Sequence, residues 1–560
     1  MSHIGIDLGT TTTLLAQTVG GQIDQSTMEV RIVPIDQKVD TGNNTQSQGF
    51  PYLPSLAYFP PNEVPVVGHH ALALALKSSM GTAALVRAVK RHMGRNMTLP
   101  SPINKTPVEI SALYLQYLLH QVKRDNLVKA NDQITVTVPA SFSSNQRRDT
   151  LEAFKIAAAR EGIAIEPATL KRLFISEPVA ALLSFLAEDL KSAESVRKVD
   201  IGKNPRVLVY DMGGGTLDLT LVQLGWRTLS QPKNLGNVEF QIRELNRYNQ
   251  FGGEDFDLQV GRFLLEQLMA QNPSLETLSL TPSEADDLRL RLLLESERLK
   301  KLLNDEIEFD GDEASVSFTS AAFPVRGVDY YIIDWPVTAT LYQQWLEPYL
   351  IYRPDPRNAL YPIEQILTRS GLTRNDVDYL LLVGGMMRFL PLQQAIKAFW
   401  GREKGVLIYG KPDQAVAQGA AVYSHLKSQH PDFVLHEPSS DAYYVRRENG
   451  FGLLLGRGHN DISKPQQYKL NGKGSELELR IFAGDQPPVN GDLTQIYPTL
   501  LYQGRFRVPL GKIYPDGTKV WLQMSYPVDS EHKMPETSIW IDTEDNFIRT
   551  LRYEELSEEK

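Results

Sequence analysis

The segment Arg206-Val-Leu-Val-Tyr-Asp-Met-Gly-Gly-Gly-Thr-Leu-Asp218 decides the fold of this 560-residue chain. Its apolar run predicts a buried strand that ends near Asp211, and three glycines and a threonine then precede a second strand. A second segment, Ile4-Gly-Ile-Asp-Leu-Gly-Thr-Thr-Thr-Thr13, has the same design. Each predicts a β-hairpin whose tight glycine and threonine turn points backbone N–H groups into a shared cleft, an arrangement suited to phosphate oxygens. Two such turns predict a duplicated scaffold that grips a nucleotide from both sides.

The bulk composition is that of a globular protein with more than one domain. A chain of 560 residues exceeds the size of a single hydrophobic core. The formal charge of −9 argues against a nucleic-acid binder that relies on bulk positive charge. The sequence has no cysteine, which excludes disulfides and thiolate metal sites. It shows no signal-like start and no apolar run long enough to span a bilayer, so we expect a soluble cytoplasmic protein with no membrane or nucleic-acid partner.

Strand and helix signals alternate to about residue 427, which is typical of an α/β protein. Capping boxes open predicted helices at Thr106, Ser143 and Thr281, and Gly162 is expected to end the second of them. The polar stretch 40–49 is expected to be a loop. The predicted strands are residues 4–8, 134–138, 173–175, 207–210, 217–224 and 379–383.

The character of the chain changes after about residue 428. Residues 429–441 are polar and contain two prolines, which predicts a linker. Short alternating runs at 477–482, 504–508, 520–524 and 538–541 lie between turn signals and predict an antiparallel β domain over residues 442–550. Residues 551–560 are expected to form an acidic, frayed tail.

A third glycine signal completes the predicted cleft. Gly384 and Gly385 follow a predicted strand and precede Arg388. Glycines there would let a flat base approach the backbone, and a guanidinium can stack on a base face. A Gly-Gly pair after a strand is common in structural turns, so its order after the two hairpins is what favours a nucleotide. Asp7 and Asp211, just before the turns, would supply carboxylates to the cation that accompanies polyphosphate.

The sequence resembles the heat shock protein 70 chaperones of the DnaK type, within the actin-like ATPase superfamily. The two turns match the family's phosphate loops, and residues 383–385 with Arg388 match its adenosine motif. Further matching stretches are Val136-Thr-Val-Pro-Ala-Ser-Phe142, Ile175-Ser-Glu-Pro-Val-Ala-Ala181, Phe251-Gly-Gly-Glu-Asp-Phe256 and Pro412-Asp-Gln-Ala-Val-Ala-Gln-Gly-Ala-Ala421. The resemblance covers residues 1–427 in the family's order. It implies an actin-like (ribonuclease H-like, duplicated) ATPase domain over residues 1–428, followed by the β domain.

The resemblance also implies a ligand, ATP or ADP with Mg²⁺, and roles for individual residues. Asp7 and Asp211 would hold Mg²⁺ through its waters, because this ion loses water reluctantly. Amides and hydroxyls of the two turns would cradle the β- and γ-phosphates. The residues of that cradle are Gly9, Thr10, Thr11, Gly213, Gly214, Gly215 and Thr216.

Catalysis would fall to Lys90, Glu177, Asp211 and Thr216. Lys90 matches the lysine that reaches the γ-phosphate, although without the resemblance its basic surroundings predict only a solvated helix face. Glu177 would orient or deprotonate the attacking water, with Thr216 nearby; taken alone, Glu177 before a proline is as well explained as a helix start.

The nucleoside would be held between two groups of side chains and backbone. Glu297 and Lys300 lie one helical turn apart and would share a helix face toward it. Gly384, Gly385 and Arg388 would lie on the other side.

The function that the resemblance implies is ATP-dependent binding of unfolded polypeptide by a chaperone, with a J-domain co-chaperone and a nucleotide exchange factor as further partners. The departures from the family that bear most on this function concern the linker and the lid. The linker candidate at 432–437 is apolar but not leucine-rich, and no helical lid is expected after residue 550, so a peptide should exchange quickly. There are three alternatives: an actin-like structural protein that polymerises when it binds ATP, a small-molecule kinase, and a nucleotide-gated scaffold with weak ATP turnover. The scaffold is the main alternative.

Overall fold

The first of two large sheets contains the N-terminal strand. The computed structural model describes residues 2–20, 29–40, 45–77, 81–127, 134–164, 173–228, 233–246, 249–402, 405–430, 433, 435, 442–447, 450–455, 466–469, 474–484, 501–525, 536–541 and 547–552. In the first sheet the strand order is β11-β10-β1-β2-β3, with β6 also paired to β2. Its strands are β1 (Ile4–Leu8), β2 (Thr12–Val19), β3 (Glu29–Ile32), β6 (Leu53–Pro54), β10 (Ile134–Val138) and β11 (Phe174–Ser176).

The second large sheet repeats this order as β14-β13-β12-β19-β20. In both sheets the first strand starts an antiparallel run of three strands on one side and has two parallel strands on the other. The two halves of the α/β region therefore share one topology, as expected of a duplicated scaffold. The strands are β12 (Arg206–Met212), β13 (Leu217–Trp226), β14 (Val238–Leu245), β19 (Tyr379–Val383) and β20 (Val406–Ile408).

Helices cover these sheets, and the predicted starts are confirmed. Thr106, Ser143 and Thr281 each form a capping box, in which the cap side chain accepts from a backbone N–H one turn later. Such caps each stabilise a helix by about 1 kcal/mol. Gly162 adopts a φ of 65° just after the second of these helices, as predicted. The α-helices are α1 (His69–Lys77), α2 (Pro107–Arg124), α3 (Ser144–Arg160), α4 (Glu177–Asp189), α5 (Gly253–Gln271), α6 (Pro273–Glu276), α7 (Pro282–Asp310), α8 (Ala339–Leu350), α9 (Tyr361–Arg369), α10 (Leu390–Trp400) and α11 (Ala415–Gln429).

The helices α4 and α11 pack together at the centre of the α/β region, where glycine makes the close approach possible. A Cβ on Gly419 would lie 1.6 Å from the carbonyl oxygen of Ala180, and one on Gly5 would lie 2.3 Å from that of Ala417. Contacts that short exclude any side chain at either glycine. The short 3₁₀ helices are Gly81–Ala84, Val89–His92, Glu194–Val196, Ile201–Lys203, Leu235–Asn237, Gly311–Glu313, Arg374–Asp376 and Gly385–Arg388.

Four small sheets complete the described part of the α/β region, and one of them corrects a prediction. Of the stretch 40–49, expected to be a loop, residues 40 and 45–49 belong to the antiparallel strand pair β4 (Ile35–Asp40) and β5 (Thr45–Phe50), and residues 41–44 lie outside the described residues. Two side chains of α2 hold the start of this hairpin: Gln121 accepts from the N–H of Asp36 at 3.1 Å, and the hydroxyl of Tyr117 donates to the Asp36 carbonyl at 2.6 Å. The other strands are β7 (Leu56–Tyr58), β8 (Val66–Val67), β9 (Leu85–Arg87), β15 (Ser315–Phe318), β16 (Phe323–Val325), β17 (Val328–Tyr330) and β18 (Trp335–Thr338).

The described part of the C-terminal region consists of two four-stranded antiparallel sheets, in the orders β22-β21-β24-β25 and β23-β26-β27-β28. Apolar side chains of both sheets, among them Ile481, Val508, Leu522 and Ile539, share one buried cluster. The last strand extends to Arg552, so the predicted tail starts too early at 551. The strands are β21 (Ala442–Arg447), β22 (Gly450–Leu455), β23 (Gln466–Lys469), β24 (Gly474–Gly484), β25 (Leu501–Tyr514), β26 (Lys519–Ser525), β27 (Glu536–Ile541) and β28 (Phe547–Arg552).

Only part of the predicted linker lies among the described residues. Gln429, its predicted first residue, is the last residue of α11. Phe433 and Leu435 are buried and belong to the apolar cluster of the second half of the α/β region. None of the described helices combines the length and the apolar character needed to cross a membrane.

Candidate functional site

The first glycine turn joins β1 to β2 and is braced from outside by one serine. The Ser55 hydroxyl donates to the Gly9 carbonyl at 2.9 Å, and the Ser55 N–H donates to the Thr11 carbonyl at 2.8 Å. Because the C=O and N–H of a trans peptide point in opposite directions, the N–H groups that follow these carbonyls face the other side of the turn. A Cβ on Gly9 would lie 2.1 Å from the Thr12 carbonyl, so no other residue fits there.

The second turn joins β12 to β13 and has its carbonyl groups fixed in the same way. The Gly213 carbonyl accepts from Gly253 N–H at 3.1 Å, and the Gly214 carbonyl accepts from Glu254 N–H at 2.7 Å. The Gly215 carbonyl accepts two bonds from Arg91, at 3.1 and 2.9 Å. Three successive carbonyl groups therefore point out of the turn, and the N–H groups that follow them point the other way.

The two turns touch each other. A Cβ on Gly214 would lie 2.3 Å from Oγ1 of Thr11, and a Cβ on Gly215 would lie 2.3 Å from Cγ2 of Thr10. The glycines are therefore required by the opposite turn as well as by the backbone. Threonine and glycine from two distant parts of the chain are therefore in contact, and both turns line the same cleft.

Asp7 stands near the end of β1 beside the first turn and is half-buried. It accepts a hydrogen bond from Thr137 Oγ1 at 3.0 Å. Burial, followed by the negative charge of Glu177, raises the pKa of Asp7 to about 7, and Lys90 opposes the shift. The surroundings of this carboxylate thus contain too little positive charge to balance it.

The second turn has a buried carboxyl group on each of its strands. Asp211 and Asp218 are directly opposed in the register of the hairpin. Burial, and then the charge of Glu177, raises the pKa of Asp211 well above its ordinary value and that of Asp218 to about 7. Asp218 accepts a hydrogen bond of 2.6 Å from the Ser141 hydroxyl, which lowers its pKa only in part. Like Asp7, both carboxylates would be stabilised by added positive charge.

Lys90 and Glu177, two of the predicted catalytic residues, form a buried ion pair with each other. Lys90 lies in the 3₁₀ helix Val89–His92, and its ammonium group also lies 5.6 Å from the ring centre of Phe142. Glu177 is the first residue of α4 and points into the cleft, so it is a helix start and a site residue at once. Lys90 is buried, in contrast to the solvated face that its basic neighbours alone would predict.

The third glycine signal lies where β19 meets the cleft, and its two glycines differ. Gly384 has a φ of 90°, and a Cβ there would lie 2.4 Å from the Met212 carbonyl and 2.5 Å from Oδ1 of Asp211. It is thus required for packing of the two strands. A Cβ on Gly385 would meet nothing within 4 Å, so this residue opens onto the cleft. Arg388 is held by Asp413 through bonds of 3.0 and 2.7 Å.

The charged residues of α7 that were predicted to face the nucleoside each have an ion-pair partner. Lys300, predicted to face the nucleoside, donates to the buried Asp257 at 2.7 Å. Glu297 pairs with Lys301 at 2.8 Å, and all four residues line the cleft. Burial raises the pKa of Asp257 to about 6, with Lys300 opposing the shift.

One cleft of about 1090 Å³ brings all these features together. Every residue predicted to bind or process the nucleotide lines it, from the first turn to Arg388. Several contributors were not predicted: Ser55, Lys301 and Asp413 line the cleft, whereas Arg91 and Asp218 contact or oppose residues that line it. Asp218 and Lys301 have a signal in the sequence, since Asp218 follows the glycine turn across the hairpin from Asp211 and Lys301 lies four residues after Glu297. Ser55, Arg91 and Asp413 have none, because their partners lie far away in the chain.

Comparison with models of protein families finds one family to which the chain belongs. Residues 100–451, more than half of the sequence, match the family model described as Hsp70 protein. The match contains the second turn, the third glycine signal, Glu177 and α7. The first turn and Lys90 precede it, so their assignment rests on the geometry above and on the sequence motifs.

Proposed function

The chain belongs to the Hsp70 protein family, and from that premise we propose that it is an ATP-hydrolysing molecular chaperone that binds unfolded polypeptide under nucleotide control. The observation that carries this proposal is the contact between the two glycine turns at the centre of the cleft. Family membership supports the actin-like ATPase fold and the chaperone class. The residue roles, the client and the partners below are the proposed part.

The donor set of the cleft suits Mg²⁺. Asp7 and Asp211 are carboxylates, the oxygen ligands that this hard cation prefers. Their pKa values are raised by burial and by neighbouring negative charge, so a cation would relieve both. Within the described residues, no group of three or more His, Asp or Glu side chains could enclose a metal directly, so these two would hold Mg²⁺ mainly through water. When bound, Mg²⁺ supplies neutralisation of the phosphate oxygens.

The residues of the chain would position the phosphates and the attacking water. The N–H groups of Gly214, Gly215 and Thr216 donate no backbone hydrogen bond within the described part of the chain, so they are available to phosphate oxygens. Lys90 would exchange its contact with Glu177 for a phosphate oxygen. Glu177, released from that pair, would accept a proton from or orient a water molecule. Such chemistry needs positioning and charge balance more than covalent participation by the protein.

Coupling to the C-terminal strands would pass through the linker. The ring of Phe433 packs edge-on against Phe240 with ring centres 5.9 Å apart, and the guanidinium of Arg227 lies 5.2 Å from its centre. A segment anchored in the second half of the ATPase region can respond to movement of that half. We propose that the antiparallel sheets beyond it bind extended polypeptide through backbone pairing and apolar pockets, with a J-domain protein and an exchange factor as regulatory partners.

Steady-state ATP hydrolysis, with and without a permanently unfolded polypeptide, tests the proposal. We expect hydrolysis by the wild-type protein that the polypeptide stimulates, and loss of both rates in Asp211→Ala. A rate of ATP hydrolysis that does not change when the polypeptide is added would favour the nucleotide-gated scaffold instead. Absence of nucleotide binding and hydrolysis together would refute the assignment of the cleft.

A further inference from the structure

Arg91, from the half of the protein that contains the first sheet, contacts the outer, carbonyl side of the second glycine turn. We infer that it is a positioning residue, which holds the peptide between Gly215 and Thr216 in the one orientation that offers the Thr216 N–H to phosphate. The inference rests on the proposed function, because it concerns the same nucleotide site.

The three peptides of the turn are not held equally. Those that follow Gly213 and Gly214 are fixed by backbone N–H groups at the start of α5, at 3.1 and 2.7 Å. These anchors belong to the same half of the protein as the turn. The peptide that follows Gly215 is fixed by a side chain instead, through the two bonds from Nε and Nη2 of Arg91. It is the only one of the three whose orientation depends on a residue outside that half.

A glycine peptide needs such an anchor. Glycine adopts backbone conformations that other residues avoid, so rotation of the peptide after Gly215 meets little steric resistance. Rotation would turn the carbonyl oxygen toward the phosphates and the Thr216 N–H away from them. A donor would then be replaced by an acceptor that repels phosphate. Two charge-assisted bonds from a guanidinium to the carbonyl oppose this rotation.

Arg91 is itself held in place by acidic groups. Its guanidinium lies 3.6 Å from Glu254 and 3.4 Å from Asp255, both in the first turn of α5. Its side chain is 18% exposed, so these contacts are shielded from water. The planar fork of arginine can satisfy the carbonyl and the carboxylates at the same time, whereas a lysine ammonium offers one compact donor group.

The position of Arg91 links this anchor to closure of the cleft. Arg91 follows Lys90 in the 3₁₀ helix Val89–His92, on the side of the first sheet, whereas the turn belongs to the second sheet. The bonds to Gly215 exist only when the two halves are together. The phosphate site is therefore complete only in the closed protein, and Arg91 makes phosphate binding depend on closure.

Arg87 provides a matched control. It reaches from β9 to Glu254, which it binds at 2.9 Å, but within the described part of the chain it forms no hydrogen bond or ion pair with the turn. Arg87→Gln therefore removes an ion pair between the two halves and leaves the Gly215 carbonyl anchored. Arg91→Ala removes the anchor, and Arg91→Lys keeps the charge but loses the two-pronged contact.

The test compares ligands with and without phosphate by isothermal titration calorimetry of the full chain. Arg91→Ala should weaken Mg·ADP binding about 10- to 100-fold while adenosine binding stays within about twofold of wild type. Arg91→Lys should lie between wild type and Arg91→Ala for Mg·ADP, and Arg87→Gln should affect both ligands by the same factor. Unfolding midpoints without ligand check that each variant is folded; if Arg91→Ala is not, Arg91→Lys is compared with Arg87→Gln.

Three results would overturn the inference. If Arg91→Ala lost affinity for Mg·ADP and for adenosine by the same factor, Arg91 would only hold the two halves together and would not position the peptide. Full Mg·ADP affinity in Arg91→Lys would assign the effect to charge and not to the orientation of the peptide. A wild-type protein that binds neither ligand would refute the proposed function itself, and this is visible before any variant is compared.

Discussion

The contact between the two glycine turns gives the sharpest prediction, and Gly214→Ala is the perturbation. The new Cβ would lie 2.3 Å from Oγ1, 2.5 Å from Cγ2 and 2.9 Å from Cβ of Thr11. Thr11 is short and branched at Cβ, so it cannot move a flexible end out of the way. Since ordinary contact begins near 3.4 Å, the turns must separate by about 1 Å, a displacement that can cost on the order of 100-fold in catalysis.

The expected loss of Mg·ADP affinity follows from the same overlap. Overpacking of this kind costs about 1–3 kcal/mol, which corresponds to roughly 5- to 150-fold in a dissociation constant. Gly213→Ala is the matched control in the same turn, because its Cβ would lie 4.0 Å from the nearest atom, the Thr216 carbonyl oxygen. We expect that control to stay within about threefold of wild type by titration calorimetry.

A rescue variant separates the overlap from a general defect. Thr11→Gly removes all three atoms that the new Cβ would meet. The double variant Thr11→Gly, Gly214→Ala should therefore lose less Mg·ADP binding free energy than the sum of the losses of the two single variants. The reasoning is refuted if Gly214→Ala binds like wild type, or if Gly213→Ala loses as much.

Three other predictions concern the linker, catalysis and pH. Phe433→Ala removes the ring packed on Phe240, so stimulation of ATP hydrolysis by unfolded polypeptide should disappear while the basal rate is kept; a steady-state assay with intact stimulation would contradict the linker contact. Glu177→Gln should lower single-turnover hydrolysis about 100- to 1000-fold with little change in Mg·ADP affinity, and a loss below about tenfold would place the proton acceptor elsewhere. Burial lowers the pKa of His3 to about 3 and that of His425 to about 4. The unfolded chain therefore binds protons below pH 6.5 that the folded chain does not, and the free energy of unfolding falls as the pH drops from 7 toward 4. The loss should be about 1 kcal/mol per histidine at pH 5 after allowance for solvent screening. Urea unfolding at pH 7 and 5 measures this loss of stability, which the variant carrying both His3→Gln and His425→Gln should lack. Equal losses in this variant and in the wild type would exclude the two histidines as the source.

Features of the fold that depend on local sequence were predictable. Strands β1, β10 and β19 have the bounds that their apolar runs indicate, and the three capping boxes form where their motifs stand. The repeated hairpins predicted the duplication because each carries its own strand, turn and strand signals. Such features need no knowledge of distant partners.

The hairpin of β4 and β5 could not be predicted in this way. Its strands are rich in polar residues, so the sequence favours a loop. Gln121 and Tyr117 hold its start from α2, and the buried Gln37 donates to the Tyr52 carbonyl at 2.7 Å. These tertiary hydrogen bonds outweigh the local preference.

The candidate site also contains contacts between distant residues that the local sequence does not indicate. Residue types and motif order identified the residues that line the cleft, but not how they pair with one another. Lys300 lines the cleft as predicted, but the sequence did not indicate its partner Asp257, 43 residues away. Arg91 and Gly215 are 124 residues apart, and nothing local to either marks the contact.

The most direct test of the paired turns is a crystal structure of the protein grown with Mg·ADP and inorganic phosphate. We expect phosphate oxygens within hydrogen-bond distance of N–H groups or hydroxyls from both turns, and water molecules of the magnesium ion hydrogen-bonded to Asp7 and Asp211. A nucleotide seated against only one turn, or bound outside this cleft, would contradict this expectation.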